Sequence, residues 1–72
     1  MEILIFQTDI QSEDKVSHLE PVFNTHSDIL NWSVDLEDID NVLRIEAKTN
    51  LTENTVIELV TKHGFHIKTL MD

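Results

Sequence analysis

Cysteine is absent from the 72 residues of this chain. Its absence excludes disulfide staples and thiolate metal ligands, so apolar packing alone must hold the fold, and a reducing compartment suits it. Glycine and proline occur once each, as Gly64 and Pro21. One glycine cannot build the phosphate-cradling loop of a nucleotide site, and one proline makes no rigid linker. Basic residues are few, five Lys and Arg against fourteen Asp and Glu, giving a formal net charge of −9. Nucleic-acid affinity comes largely from neutralised phosphates, so nucleic acid is not an expected partner, and an anionic membrane surface is disfavoured for the same reason. The segment Asn41–Thr49 also lacks the aromatics and the basic stretch with which sheets of this size bind RNA. The apolar run Ile3–Phe6 is too short for a membrane span or the core of a leader, and no basic segment precedes it. A cytoplasmic protein is the expectation.

What is present suits one small domain over residues 1–72, with 40% hydrophobic residues available for a core. Glu2 to Thr8 holds I-L-I-F, apolar on both faces, which predicts a central strand. Ser12 is a good N-cap, Glu13 and Asp14 complement the helix dipole, and Val16, Leu19 and Phe23 follow at helical spacing. Pro21 removes one hydrogen bond, yet Phe23 extends the apolar stripe, so a kinked helix to about Asn24 is expected. Ile29 to Leu36 alternates, with Leu30, Trp32, Val34 and Leu36 on one side, and Val42 to Lys48 alternates with Leu43, Ile45 and Ala47 inward. An acidic turn of four or five residues, Glu37–Asn41, joins the two as a hairpin. Thr52 caps a second helix striped by Val56, Leu59, Val60 and His63, Gly64 suits its left-handed end, and Phe65 to Leu70 is a last strand. The order βαββαβ predicts an α+β, ferredoxin-like fold: a four-stranded antiparallel sheet, order 4-1-3-2, with two helices on one face.

The stretch Thr8–Lys15, where a strand hands over to a helix, is the natural place for a ligand, because backbone amides converge on a helix N-terminus there. In the assumed topology it shares one end of the molecule with the acidic turn and the Gly64 corner. Four histidines, His18, His26, His63 and His66, offer imidazole ligands, and His63 and His66 flank that corner near the first loop, which places Asp9, Glu13 and Asp14 within their expected reach. Two imidazoles with carboxylates suit Zn or Ni. Against this, His63 lies on an apolar stripe, where a packed or partly exposed histidine is the ordinary outcome; His18 sits on a helix face and His26 at the opposite end. The acidic turn lacks the glycine and closing glutamate of an EF-hand, and a solvated turn accounts for it. No catalytic spacing of nucleophile and base is present, so an enzyme is not expected.

With these elements placed, the chain resembles the heavy-metal-associated domain family of copper-chaperone-like modules. Nearly the whole chain takes part. The family's M-x-C-x-x-C is matched by I-Q-S-E-D-K, Ile10 to Lys15, and its A-G-Y or A-G-F corner by H-G-F, His63 to Phe65. W-S-V-D-L, Trp32 to Leu36, matches the end of its second strand, and Val56, Leu59 and Val60 fit its second-helix pattern. The resemblance implies that Ile10 is the core residue under the loop and that Ser12 and Lys15 occupy the two metal-ligand positions. A hydroxyl is a hard, weak ligand and an ammonium has no lone pair, so neither replaces a cysteine. The leading expectation is therefore a non-enzymatic domain without a cofactor that has lost its thiolate site and acts through protein contacts, in metal homeostasis by resemblance. A basic protein surface would dock on Asp9, Glu13, Asp14, Glu37, Asp38 and Asp40, with Lys15 held near Asp9, Asp14 or another carboxylate of this end in place of the metal cation. The second expectation is a Zn, Ni or Cu carrier using His63, His66 and Asp9.

Overall fold

The computed structural model describes residues 1–70. Its elements are β1 (Glu2–Thr8), α1 (Glu13–Asn24), β2 (Ile29–Asp35), β3 (Val42–Ala47), α2 (Glu53–Lys62) and β4 (Ile67–Thr69). The strands pair antiparallel in the order β2-β3-β1-β4, the ferredoxin-like arrangement that the element order predicts. The apolar run of β1 is central, as its sequence requires.

Local chemistry sets the helix ends. The Ser12 hydroxyl accepts the Lys15 amide at 3.3 Å, and Thr52 accepts that of Thr55 at the same distance. Each thereby satisfies one of the amides that a helix start leaves free. Pro21 stays inside α1, which runs on to Asn24. The Thr25 hydroxyl closes that last turn by donating to the Pro21 carbonyl at 2.6 Å, and burial of Phe23 holds it against the sheet. At the end of α2, Gly64 has φ +89 and its amide bonds to Thr61 O, while the Phe65 amide reaches back to Val60 O. This paired C-terminal closure needs a left-handed residue, and glycine takes that conformation without steric cost.

The register explains the core. Opposing Phe6 to Leu43 and Leu4 to Ile45 puts these side chains on the helix-covered face. Phe6, Leu43, Ile45 and Ala47 from the sheet meet Leu19, Phe23, Val56 and Val60 from the helices, all fully buried. Ile10 and Leu51 seal the ends. Trp32 fastens α1 to β2: its ring meets Phe23 edge-on with centroids 4.9 Å apart, and Nε1 donates to Asn24 Oδ1 at 2.8 Å.

Three expectations need correction. Leu30 is 53% exposed rather than inward, because a register shift between Ile29 and Asn31 turns that one residue out of the alternation. The hairpin connection is Leu36–Asn41, longer than expected, with Asp35 ending β2. The last strand is shorter than Phe65–Leu70, although the Leu70 amide still reaches Ile5 O at 3.0 Å.

Because Phe23 is the buried residue that carries α1 past Pro21 and meets Trp32, Phe23→Ala is expected to cost about 3–5 kcal/mol. Urea unfolding measures it. A loss below about 1 kcal/mol would show that the last turn of α1 does not contribute to the core.

Candidate functional site

Three loops meet at the end of β1, and backbone chemistry brings them together. The Thr8 amide donates to Asp40 O at 3.0 Å, reaching the β2–β3 turn. Its hydroxyl, on a residue 9% exposed, donates to Asn41 O at 2.6 Å and accepts the Ile10 amide at 3.2 Å. One residue on, the Asp9 amide donates to His66 O at 3.2 Å, and Asp9 Oδ1 accepts the His66 amide at 2.8 Å. Gln7 Nε2 adds a bond to Asp40 Oδ1 at 2.8 Å. The β1–α1 loop is thus pinned to the acidic turn on one side and to the corner after α2 on the other. Beside it lies an open depression of about 350 Å³ lined by Gln7, Thr8, Asp9, His66, Ile67 and Lys68.

The acidic residues divide into two kinds. Glu13, Asp14 and Glu37 are exposed with free reach into solvent. Asp9, Asp38 and Asp40 are half-buried and bonded: Asp38 Oδ1 accepts the Asp40 amide at 2.8 Å, and Asp9 and Asp40 hold His66 and Gln7 as described. These three shape the loops as well as charging them. Asn41 closes the turn at φ +45, a conformation asparagine tolerates better than most residues.

At the two positions matched to metal ligands, Ser12 Oγ is committed to the Lys15 amide, and Lys15 is exposed. Lys15 makes no ion pair with Asp9 or Asp14. Among the described residues the ion pair within 4.0 Å is Arg44 with Glu46, at 3.6 Å on the sheet. The first turn of α1 instead projects all three charged side chains into water, where an exposed pair gains little. Hydroxyl and ammonium do not fit a soft metal, so the donor set does not suit Cu(I).

His63 is exposed at the C-cap of α2, the exposed of its two expected outcomes, because the helix ends there. His66 is exposed and lies just before β4. Sequence order did not bring out His18: its ring lies 5.9 Å from that of His63 and 6.3 Å from Phe65. That approach depends on how α1 and α2 pack, which residue spacing within either helix does not encode. His26 is at the far end, where its Nδ1 accepts the Asp28 amide. Among the described residues no three His, Asp or Glu side chains are grouped so as to hold a metal ion.

No protein-family model matches the chain, and no curated protein matches it in sequence. Solved structures do. One chain of the Atx1–Cu(I)–Ccc2a complex superposes with a TM-score of 0.85 at 12% identity, covering 100% of this chain and 99% of the other. The CsoZ metallochaperone gives 0.75 at 17%, with 97% of both chains covered. A structure concerned with crosstalk between Cu(I) and Zn(II) homeostasis gives 0.81 at 13%, covering 97% of this chain and all of the other. The chain has the heavy-metal-associated-like fold. At such identities the likeness is one of fold, and it spans at least 97% of each chain compared. No helix among the described residues is long and apolar enough to cross a membrane.

Thr8→Val keeps shape but leaves the Ile10 amide and the Asn41 carbonyl without their partner. A loss of about 1–3 kcal/mol is expected, with Thr8→Ser close to the parent. Chemical unfolding of both variants checks it. Equal stability of the valine variant would mean that the hydroxyl does not pin the loops.

Proposed function

We propose that the chain is a non-enzymatic, heavy-metal-associated-like domain that has lost its thiolate site and works by protein contact, within metal homeostasis. The observation that carries this reading is the strand-to-helix loop. Its first ligand position, Ser12, is committed to capping the helix, and its second, Lys15, is already a cation. The fold shared with metallochaperones supports the setting, and the Atx1–Ccc2a complex is precedent for one such protein binding another. Asp9, Glu13, Asp14, Glu37, Asp38 and Asp40 form the acidic end. Their summed charge would steer a basic partner and fix its orientation, acting on encounter rate more than on final affinity.

A second reading is a metal-ion carrier with His63, His66 and Asp9 as ligands. The approach of His18 to His63 favours it by adding a neighbouring imidazole. The bonding of Asp9 Oδ1 to the His66 amide weighs the other way, since that oxygen is engaged.

Calorimetric titration with Zn, Ni and, under reducing conditions, Cu(I) separates the two. The protein-contact reading expects no 1:1 site of micromolar affinity for any of them. Such a site, lost in His63→Ala or His66→Ala, would overturn it in favour of the carrier.

A further inference from the structure

We propose that the cleft between α1 and β2 receives an extended basic segment of a partner protein, which joins the sheet as a further strand beside β2. The proposal deepens the protein-contact reading and rests on it, but places the contact on the flank of the molecule.

The cleft lies beyond the point where α1 is fastened to β2. Phe23 and Asn24 grip Trp32 near the C-terminus of the helix. Toward its N-terminus an opening of about 320 Å³ is left, lined by Glu13, Val16, Ser17, Glu20, Val34 and Leu36. Val16, Val34 and Leu36 are half-buried apolar residues, while Glu13 and Glu20 are exposed carboxylates on the same stretch of α1. An apolar floor with an acidic rim asks for an occupant that alternates apolar and cationic side chains.

The backbone sets the conformation of that occupant. β2 pairs with β3 alone, so its other edge is open. The Trp32 amide donates to its own neighbour, Asn31 Oδ1, at 2.9 Å, which puts that amide on the open edge. Alternate residues of a strand turn their backbone groups to the same side, so the N–H and C=O of Val34 lie on that edge too. Val34 therefore offers its side chain to the cleft floor and its peptide groups to a pairing strand. A segment added there would seat every second side chain in the cleft and give its own amide and carbonyl to Val34, the mode by which exposed sheet edges bind extended peptides. Asn31, at the register shift, would release Trp32 to the same ladder.

Charge selects the occupant. Asp35 and Glu37 continue the acidic character along the edge, and both are exposed. A second copy would bring its own net charge of −9 and set carboxylates against carboxylates, which disfavours pairing of β2 with itself. A segment rich in Lys and Arg meets the opposite field.

The test titrates the full chain with a short blocked peptide alternating valine with lysine and arginine, followed by backbone amide NMR and hydrogen exchange. Shifts are expected in residues 32–36 and in 13–20 of α1, with slowed exchange at Trp32 and Val34. Glu13→Lys/Glu20→Lys should weaken binding about tenfold, and Glu53→Lys/Glu58→Lys, an equal charge change on α2, less than about threefold. Equal weakening by the two pairs, or equal binding of a backbone N-methylated peptide, would overturn the proposal. Shifts confined to Asp9, Asp14 and His66 would overturn the cleft while leaving the acidic-end reading standing. No shift anywhere would count against both. Self-association through β2 without peptide would make a second copy the occupant and overturn the basic segment.

Discussion

The buried hydroxyl of Thr8, donating to Asn41 and accepting from Ile10, fixes how the central strand is handed to the first helix. Everything at that end follows from it. With the amide of Thr8 on Asp40, it holds the β2–β3 turn against the loop, and with Asp9 bonded both ways to His66 it joins the corner after α2. Unpaired, these amides and carbonyls would be costly at a half-buried position, so the loops settle as a set. Ile10, fully buried below them, anchors the set to the core.

That dependence explains how the loop holds its shape without a bound metal or thiolate donors. The loop is held by main-chain bonds and by Thr8 and Asp9, none of which belongs to the two ligand positions. Ser12 secures the helix start, since its hydroxyl caps the Lys15 amide. Lys15 needs no special partner, being exposed to water in the first turn of α1. The acidity of this end is partly structural: Asp38 and Asp40 shape the turn, and Asp9 ties the corner. Of the six, Glu13, Asp14 and Glu37 carry charge without an internal duty, and Glu13 also lines the opening between α1 and β2.

Much of the fold was legible because its signals are periodic. The run Ile3–Phe6, the alternation through Leu43, Ile45 and Ala47, and the caps Ser12, Thr52 and Gly64 each follow from one local rule that packing did not override. Phe23 correctly outweighed Pro21, since burying an aromatic ring offsets one missing backbone bond. Leu30 was not legible: it keeps perfect alternation in the sequence, and only the register shift beside it turns it outward. The site was less readable than the fold. Thr8 looks like the polar end of an apolar run, and its role appears only when Asn41, distant in sequence, arrives beside it. The nearness of His18 to His63 likewise depends on interhelical packing, for which no residue pattern in α1 or α2 speaks.

The central claim is that the loop retains a metal-carrying geometry and lacks only the donors. Restoring them tests it most directly. In Ser12→Cys/Lys15→Cys the first thiol would stand at the helix N-cap and the second one turn along, where the helix terminus favours the thiolate. Competition for Cu(I) against a chromophoric chelator, under reducing conditions, is the measurement. The account predicts that the double variant takes Cu(I) from the chelator, while each single variant binds far more weakly and the parent does not compete. A folded double variant that competes no better than the parent would contradict it, and would leave the likeness to metallochaperones as one of topology.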